Sequence, residues 1–229
     1  MHNSRRALLL AALSEISGST VADRICVLCL KMNVDTAAIL VQSVLSPAGE
    51  IASAGLDQVL LSRLERDLGE GPAHQALATK RPVLASSLHD RSDRWPIFAT
   101  EALREGLAAV FAFPLHLGSI DLGVLITSRR TPGELDLEDF LNLQALADLS
   151  TLALLHAQDG LLATDHSDLL STLDVASLRV QQATGMAAEQ AQVDIATALA
   201  LMRAHALSNE VSLAEVADAI LSKKVRMDT

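Results

Sequence analysis

Apolar and polar positions follow two alternating periods over the first 130 residues and a single period afterwards. Leu9, Leu13 and Ile16 recur at helical spacing within 4–16, and Ile25, Leu28, Cys29 and Met32 do so within 21–32. Thr36 to Leu45 (TAAILVQSVL) reads as a strand, with Ser46-Pro47-Ala48-Gly49 turning into a second strand over Glu50–Ala54. Helical spacing returns at 57–68 with Val59, Leu60, Leu64 and Leu68. Gly69-Glu70-Gly71-Pro72 stops that helix, and Pro72 can start the next, running from His74 to Thr79. A short strand follows at Pro82–Ala85, then a helix from Trp95 to Glu105 that ends at Gly106. Residues 107–117 and 120–128 form the strongest hairpin signal, turning on Gly118-Ser119. Helix, strands, helices, strands is the order of an α+β domain with a mostly antiparallel sheet.

From Asp136 onward no strand pattern is present. Leu137, Phe140, Leu141, Leu146 and Leu149 through Leu155 predict a long helix. Asp159-Gly160 and Thr164 to Asp168 interrupt it, and Ser167 or Asp168 can cap a new helix. Leu169, Leu173, Ala176, Val180 and Ala183 then form a seam that predicts a linker helix paired with a partner helix, as in a homodimeric coiled coil. Two further helices are expected over Ala187–Ala206 and, after the cap Ser212, over Leu213–Lys224. The chain thus divides into a domain over 4–157 and a linker helix with an all-α three-helix module over 158–229. Arg5-Arg6 ahead of Ala7–Leu13 looks like the start of a secretory signal. The apolar stretch is short and runs straight into Ser14-Glu15, so an amphipathic helix is the better reading. No apolar run approaches the ~20 residues of a membrane span. With only two cysteines, the expected compartment is the cytoplasm.

Charge changes the picture more than size does. The 229 residues carry 18 Lys+Arg against 28 Asp+Glu, a net charge of −10, with four Phe, one Trp and no Tyr. That excludes a protein that coats nucleic acid non-specifically or stacks RNA bases on rows of aromatic side chains. The acidity is unevenly placed: residues 175–229 net −1, and the preceding part nets −9. No phosphate-cradling loop, dinucleotide fingerprint, nucleophile elbow or HExxH helix occurs, and the seven histidines are scattered. Cys26-x-x-Cys29 has redox and zinc spacing. It lies on the apolar face of a helix with Ile25, Leu28 and Met32, which favours core packing. Without a visible nucleophile–base or carboxylate pair, no enzyme, metal or cofactor is expected.

Two stretches resemble known families. Residues from about 4 to 157 resemble a GAF domain of the kind found in actinobacterial regulators. The resemblance runs through Val34-Asp35-Thr36-Ala37-Ala38-Ile39, Gly69-Glu70-Gly71-Pro72 with Ala76-Leu77, and Arg81-Pro82-Val83. It continues through Trp95-Pro96 and Val110-Phe111-Ala112-Phe113-Pro114-Leu115. Residues from about 165 to 227 resemble an ANTAR domain, the RNA-binding three-helix module of transcription antitermination regulators. That match lies in Gln181 to Met186 (QQATGM), Ala198 to Ala206 (ALALMRAHA) and Leu213 to Ile220 (LAEVADAI). The resemblance implies a sensory domain that modulates capture of paired RNA hairpins in leader transcripts, in a homodimer. Two departures remove positive charge: Thr184 stands where many relatives carry Lys, and Asn209-Glu210 where they carry Gly-Arg. The residue set of cyclic-nucleotide-binding relatives is missing, so that ligand is not expected.

The candidate RNA-contacting residues are Arg179, Gln182, Thr184, Gly185, Arg203, His205, Asn209, Lys223, Lys224 and Arg226. Arg179 and Arg203 can fork onto phosphate or base edges, or equally sit on a solvated face or in an internal ion pair. Gln182 and Thr184 can read an unstacked base or simply be exposed. Gly185 permits close approach or a helix break. Lys223, Lys224 and Arg226 suit either a helix C-terminus or a phosphate clamp. Trp95, Phe98, Phe111, Phe113 and His116 are the candidate small-molecule pocket, with core filling as the competing reading for the rings and solvent exposure for His116. The alternative to an RNA-binding regulator is a ligand-sensing or protein-interaction dimer whose RNA module is degenerate.

Overall fold

A computed structural model describes residues 2–17, 20–42, 47–57, 59–91, 93–118, 120–161 and 175–227. Five strands, β1 (Thr36–Gln42), β2 (Pro47–Gly55), β3 (Val83–Ala85), β4 (Ala109–Leu117) and β5 (Ile120–Arg129), form one sheet in the order β2-β1-β5-β4-β3. Every pairing is antiparallel. The hairpin read at 107–128 is β4–β5, with Ala109 opposite Arg129 and Leu117 opposite Ile120.

Helices cover both faces, which is why the central strands read as nearly unbroken apolar runs. Odd positions of β4 (Ala109, Phe111, Phe113, Leu115) join a core with α1 (His2–Glu15), α2 (Val21–Cys29) and α6 (Leu137–Leu161). Even positions (Val110, Ala112) join the opposite core with α3 (Leu60–Leu68), α4 (Pro72–Thr79) and α5 (Pro96–Arg104). This split follows from the two-residue period of a strand. Phe98, Phe111 and Phe113 are fully buried, each contributing roughly 2–3 kcal/mol of apolar burial. At Gly123 a Cβ would collide with the Leu40 carbonyl oxygen, so β5 approaches β1 closely only with glycine there.

The C-terminal helices α7 (Val175–Ala191), α8 (Ile195–Ser208) and α9 (Leu213–Leu221) close over their own core, centred on Ala183, Ala187, Ala198, Met202, Leu213, Ala217 and Ile220. They fit the expected all-α module, with one difference in connectivity. The sequence pattern places a break near Gly185, yet α7 runs through it. The break falls at Gln192, in the left-handed region at φ 53°, followed by Asp194, whose carboxylate accepts the Thr197 N–H at 2.9 Å. Gly185 is exposed, with nothing within 4 Å of a Cβ built there. Among the described residues it marks neither a break nor a close contact. Of the predicted linker seam, Leu169 and Leu173 lie outside the described residues, as does the Ala176 side chain. Val180 and Ala183 face the module's own core rather than a partner helix.

Candidate functional site

The Gly69-Glu70-Gly71-Pro72 motif is a double helix-capping device. Gly69 ends α3 in the left-handed conformation at φ 69°. Helices α4 and α5 start at Gly71 and Trp95, neither of which supplies a capping side chain, so carboxylates from elsewhere serve instead. Glu65, 0% exposed, accepts the Ala73 N–H at 2.8 Å and the His74 N–H at 3.4 Å, and lies 2.9 Å from His74 Nδ1. Glu70 Oε1 accepts the Ile97 and Phe98 N–H groups at 2.7 and 2.9 Å. Each carboxylate meets orphan donors at the positive end of a helix. A Cβ at Gly71 would lie 2.7 Å from the Glu65 carboxylate, which explains the second glycine.

The five-residue pocket candidate does not assemble. Phe111 and Phe113 face the α2–α6 layer, where Phe113 packs on Phe140 with centroids 5.8 Å apart. Trp95 and Phe98 lie across the sheet in the other core. His116 follows a register shift in β4 and is exposed. The rings fill two cores. Instead, a cleft of about 320 Å³ opens beside Trp95, along the edge strand β3 and α4. Its polar lining comes from Gln75, Thr79, Arg81, Arg91 and Arg94. The Arg94 guanidinium lies 5.5 Å from the Trp95 ring centroid, at cation–π distance. Only Trp95 belonged to the expected set. The available signal was charge: residues 80–94 net +2 inside a half that nets −9.

The candidate RNA-contacting residues divide into four groups. Arg179, Gln182 and Gly185 are exposed on α7, and Lys223, Lys224 and Arg226 are exposed at and beyond the end of α9. Two contacts lay these segments side by side: Arg179 pairs with Asp218 at 2.7 Å, and the Met227 N–H donates to Gln190 Oε1 at 3.1 Å. Asn209 caps α8, donating through Nδ2 to the His205 carbonyl at 2.8 Å; His205 is half-buried. Thr184, 1% exposed, donates to the Val180 carbonyl at 2.7 Å and packs on Met202. It faces the core and presents no polar atom for a base.

Arg203 reaches the other domain. Its Nε and Nη2 donate to the Arg66 carbonyl at the end of α3, at 3.3 and 3.0 Å. A Cβ at Gly69 would collide with the guanidinium. Beside this contact Asp67 is pushed up by burial, against the opposing effects of Arg66 and the Leu213 N–H. Burial likewise lowers Arg203, with Asp67 acting the other way. The residue chosen as a phosphate contact thus caps a helix of the N-terminal domain.

Cys26 and Cys29 are buried and unpaired, and burial pushes both thiols up, away from thiolate chemistry. Among the described residues no cluster of three His, Cys, Asp or Glu is placed to hold a metal, and no helix is long and apolar enough to cross a membrane.

A five-stranded antiparallel sheet clad by helices on both faces, with a cleft at its edge, defines an α+β domain. The chain belongs to the GAF domain family, whose model matches residues 15–155. Among solved structures it is similar to the GAF domain of a phosphoenolpyruvate-protein phosphotransferase from Coxiella burnetii, at 14% identity and a TM-score of 0.51. That likeness covers 69% of this chain and 95% of that one. It is also similar to free methionine-R-sulfoxide reductase from Neisseria meningitidis, solved with its substrate. There the identity is 12% and the TM-score 0.50, covering 69% and 91% of the two chains. At these identities the likeness is one of fold. None of the curated proteins matches the chain. A GAF domain suggests a sensory role for the N-terminal half.

Proposed function

We propose that the chain is a cytoplasmic, homodimeric regulator in which the GAF domain governs an RNA-binding, ANTAR-like helical module. The module captures paired hairpins in leader transcripts and lets transcription continue; the protein is not an enzyme. The observation that carries this reading is the basic tail of α9, Lys223 to Arg226, laid along the exposed Arg179–Gln182–Gly185 face of α7. It forms a local polar surface on a module that nets only −1. Steering by such a patch does not require a basic molecule. The Arg203–Arg66 contact supports a route by which the sensory half can influence the helical half.

Gel-shift titration of the full chain with a two-hairpin leader RNA, across a range of salt, tests the proposal. Binding should weaken as salt rises. Arg179→Ala combined with Lys223→Ala and Lys224→Ala should weaken it about tenfold or more. A folded protein that binds no such RNA at low salt overturns it in favour of a second reading, a ligand-sensing dimer with a degenerate module. The burial of Thr184 and the occupation of Arg203 favour that alternative.

A further inference from the structure

We infer that the cleft along β3 binds a small organic dianion, phosphorylated or doubly carboxylated, that also carries a hydroxyl or amino donor. The inference deepens the sensory reading and rests on it. Three arginines, Arg81, Arg91 and Arg94, line one cleft of about 320 Å³. None of them forms an ion pair with any described residue. Elsewhere in this domain arginines do find acids: Arg63 pairs with Glu105 at 3.1 Å and Arg104 with Glu101 at 2.7 Å. Asp90 and Asp93 neighbour the cleft arginines in sequence, yet they are exposed and do not line the cleft. Clustering three like charges without a counter-charge is unfavourable in the free protein and becomes favourable when an anion enters. Planar guanidinium forks suit carboxylate and phosphate oxygens alike.

A second observation concerns another lining residue. Gln75 lines the cleft, and its Oε1 is buried and meets no hydrogen-bond donor among the described residues. The neighbouring Thr79 hydroxyl is already committed to the Gln75 carbonyl at 2.8 Å. A buried acceptor without a partner is costly, and a ligand O–H or N–H is what would satisfy it. Trp95, buried at the wall under Arg94, fixes the depth of the site. The volume is at the lower end of small-molecule pockets, so the ligand is compact. Two anionic groups for the arginines and one donor for Gln75 define the class.

Titration calorimetry on the full chain tests this with four probes: malate, succinate, glycerol 3-phosphate and uncharged glycerol. Saturable binding is expected for malate or glycerol 3-phosphate, and the preferred one of these two separates carboxylate from phosphate recognition. Succinate, which lacks the hydroxyl, should bind about tenfold more weakly than malate if carboxylates are preferred, and glycerol should not bind. Arg81→Gln with Arg94→Gln changes two exposed side chains and should weaken binding about tenfold or more at an unchanged thermal midpoint. Gln75→Glu, nearly isosteric, should abolish binding by charge repulsion, whereas Gln75→Leu should erase only the advantage of the donor. Absence of saturable binding by both dianions overturns the site, and so does binding indifferent to the arginine changes. Loss of RNA affinity from those changes without any dianion binding also overturns it, assigning the arginines to RNA. Dianion binding that leaves RNA capture unaltered upholds the site and removes the sensory reading.

Discussion

Strand β4 is buried from Ala109 to Leu115, its residues shared alternately between two helical layers, whereas α7, α8 and α9 close over a single core and leave their outer faces in water. Both halves cap helix starts with surface carboxylates, Asp23 and Asp136 in the sheet domain among them, but among the described residues only the sheet domain also buries one. In the sheet domain Glu65 is drawn inside, where it is architecture, joining α3 to the start of α4. In the helical module Asp194 and Glu215 stay exposed and cap the starts of α8 and α9. Arg81, Arg91 and Arg94 line one cleft of an acidic domain and pair with no described acid. Capping from outside leaves the module's polar faces open to a partner. A net charge of −10 hides both arrangements.

Removing Glu65 attacks the comparison hardest. Glu65→Ala strips the acceptor from the Ala73 and His74 N–H groups and should cost the sheet domain roughly 2–4 kcal/mol. Urea unfolding followed by Trp95 fluorescence reads that loss, since Trp95 is the single tryptophan and sits in the affected core. The helical module should keep its hydrogen-exchange protection, because its core is separate. Simultaneous loss of both halves would show that they fold as one unit.

Acid tests the opposite half. Hydrogen bonds to the cap residues hold Asp194 and Glu215 below the ordinary carboxylate range, chiefly through the Thr197 N–H and the Ser212 N–H respectively. A lowered folded-state value means the stabilisation is present above the unfolded titration and is lost as pH falls through the folded one. Protection of the Thr197 and Ser212 amides, relative to their intrinsic exchange rates, should therefore fall below about pH 4, the ordinary carboxylate range. Protection insensitive to acid would show that these caps do not hold the helix starts.

The smallest effect sharpens the RNA face. Asp218→Asn releases Arg179 from a half-exposed pair and should raise affinity for the two-hairpin RNA about two- to fivefold. Folding stability should stay within about 0.5 kcal/mol. Unchanged or weakened binding would place Arg179 outside the contact.

Local signals were legible wherever a period or a turn residue decides the outcome. The β4–β5 hairpin lies where two apolar runs and Gly118-Ser119 put it, and the expected cap Ser212 starts α9, joined by Glu215 in a capping box. The buried pair Cys26 and Cys29 followed from one helical face. What failed was the extrapolation from a rare residue to a shared site. Trp95, Phe98, Phe111 and Phe113 cluster in sequence, but a sheet runs between them, and which layer each element joins depends on packing far along the chain. Gly185 drew a break that Gln192 and Asp194 supply, because an exposed glycine costs a helix only about 1 kcal/mol, which three-helix packing outweighs.

By itself, then, the sequence determined the α+β domain, the all-α module after it, their order and the uneven charge, all of which follow from local periodicity and composition. Tertiary structure decided the partners. Glu70 meets Phe98 28 residues away, and Arg203 meets Arg66 across 137. Three arginines separated by a strand and a helical turn line one cleft with Gln75. A charged or polar side chain carries no periodic signature of its partner, so only the folded chain shows which of them are satisfied and which are left to bind something else.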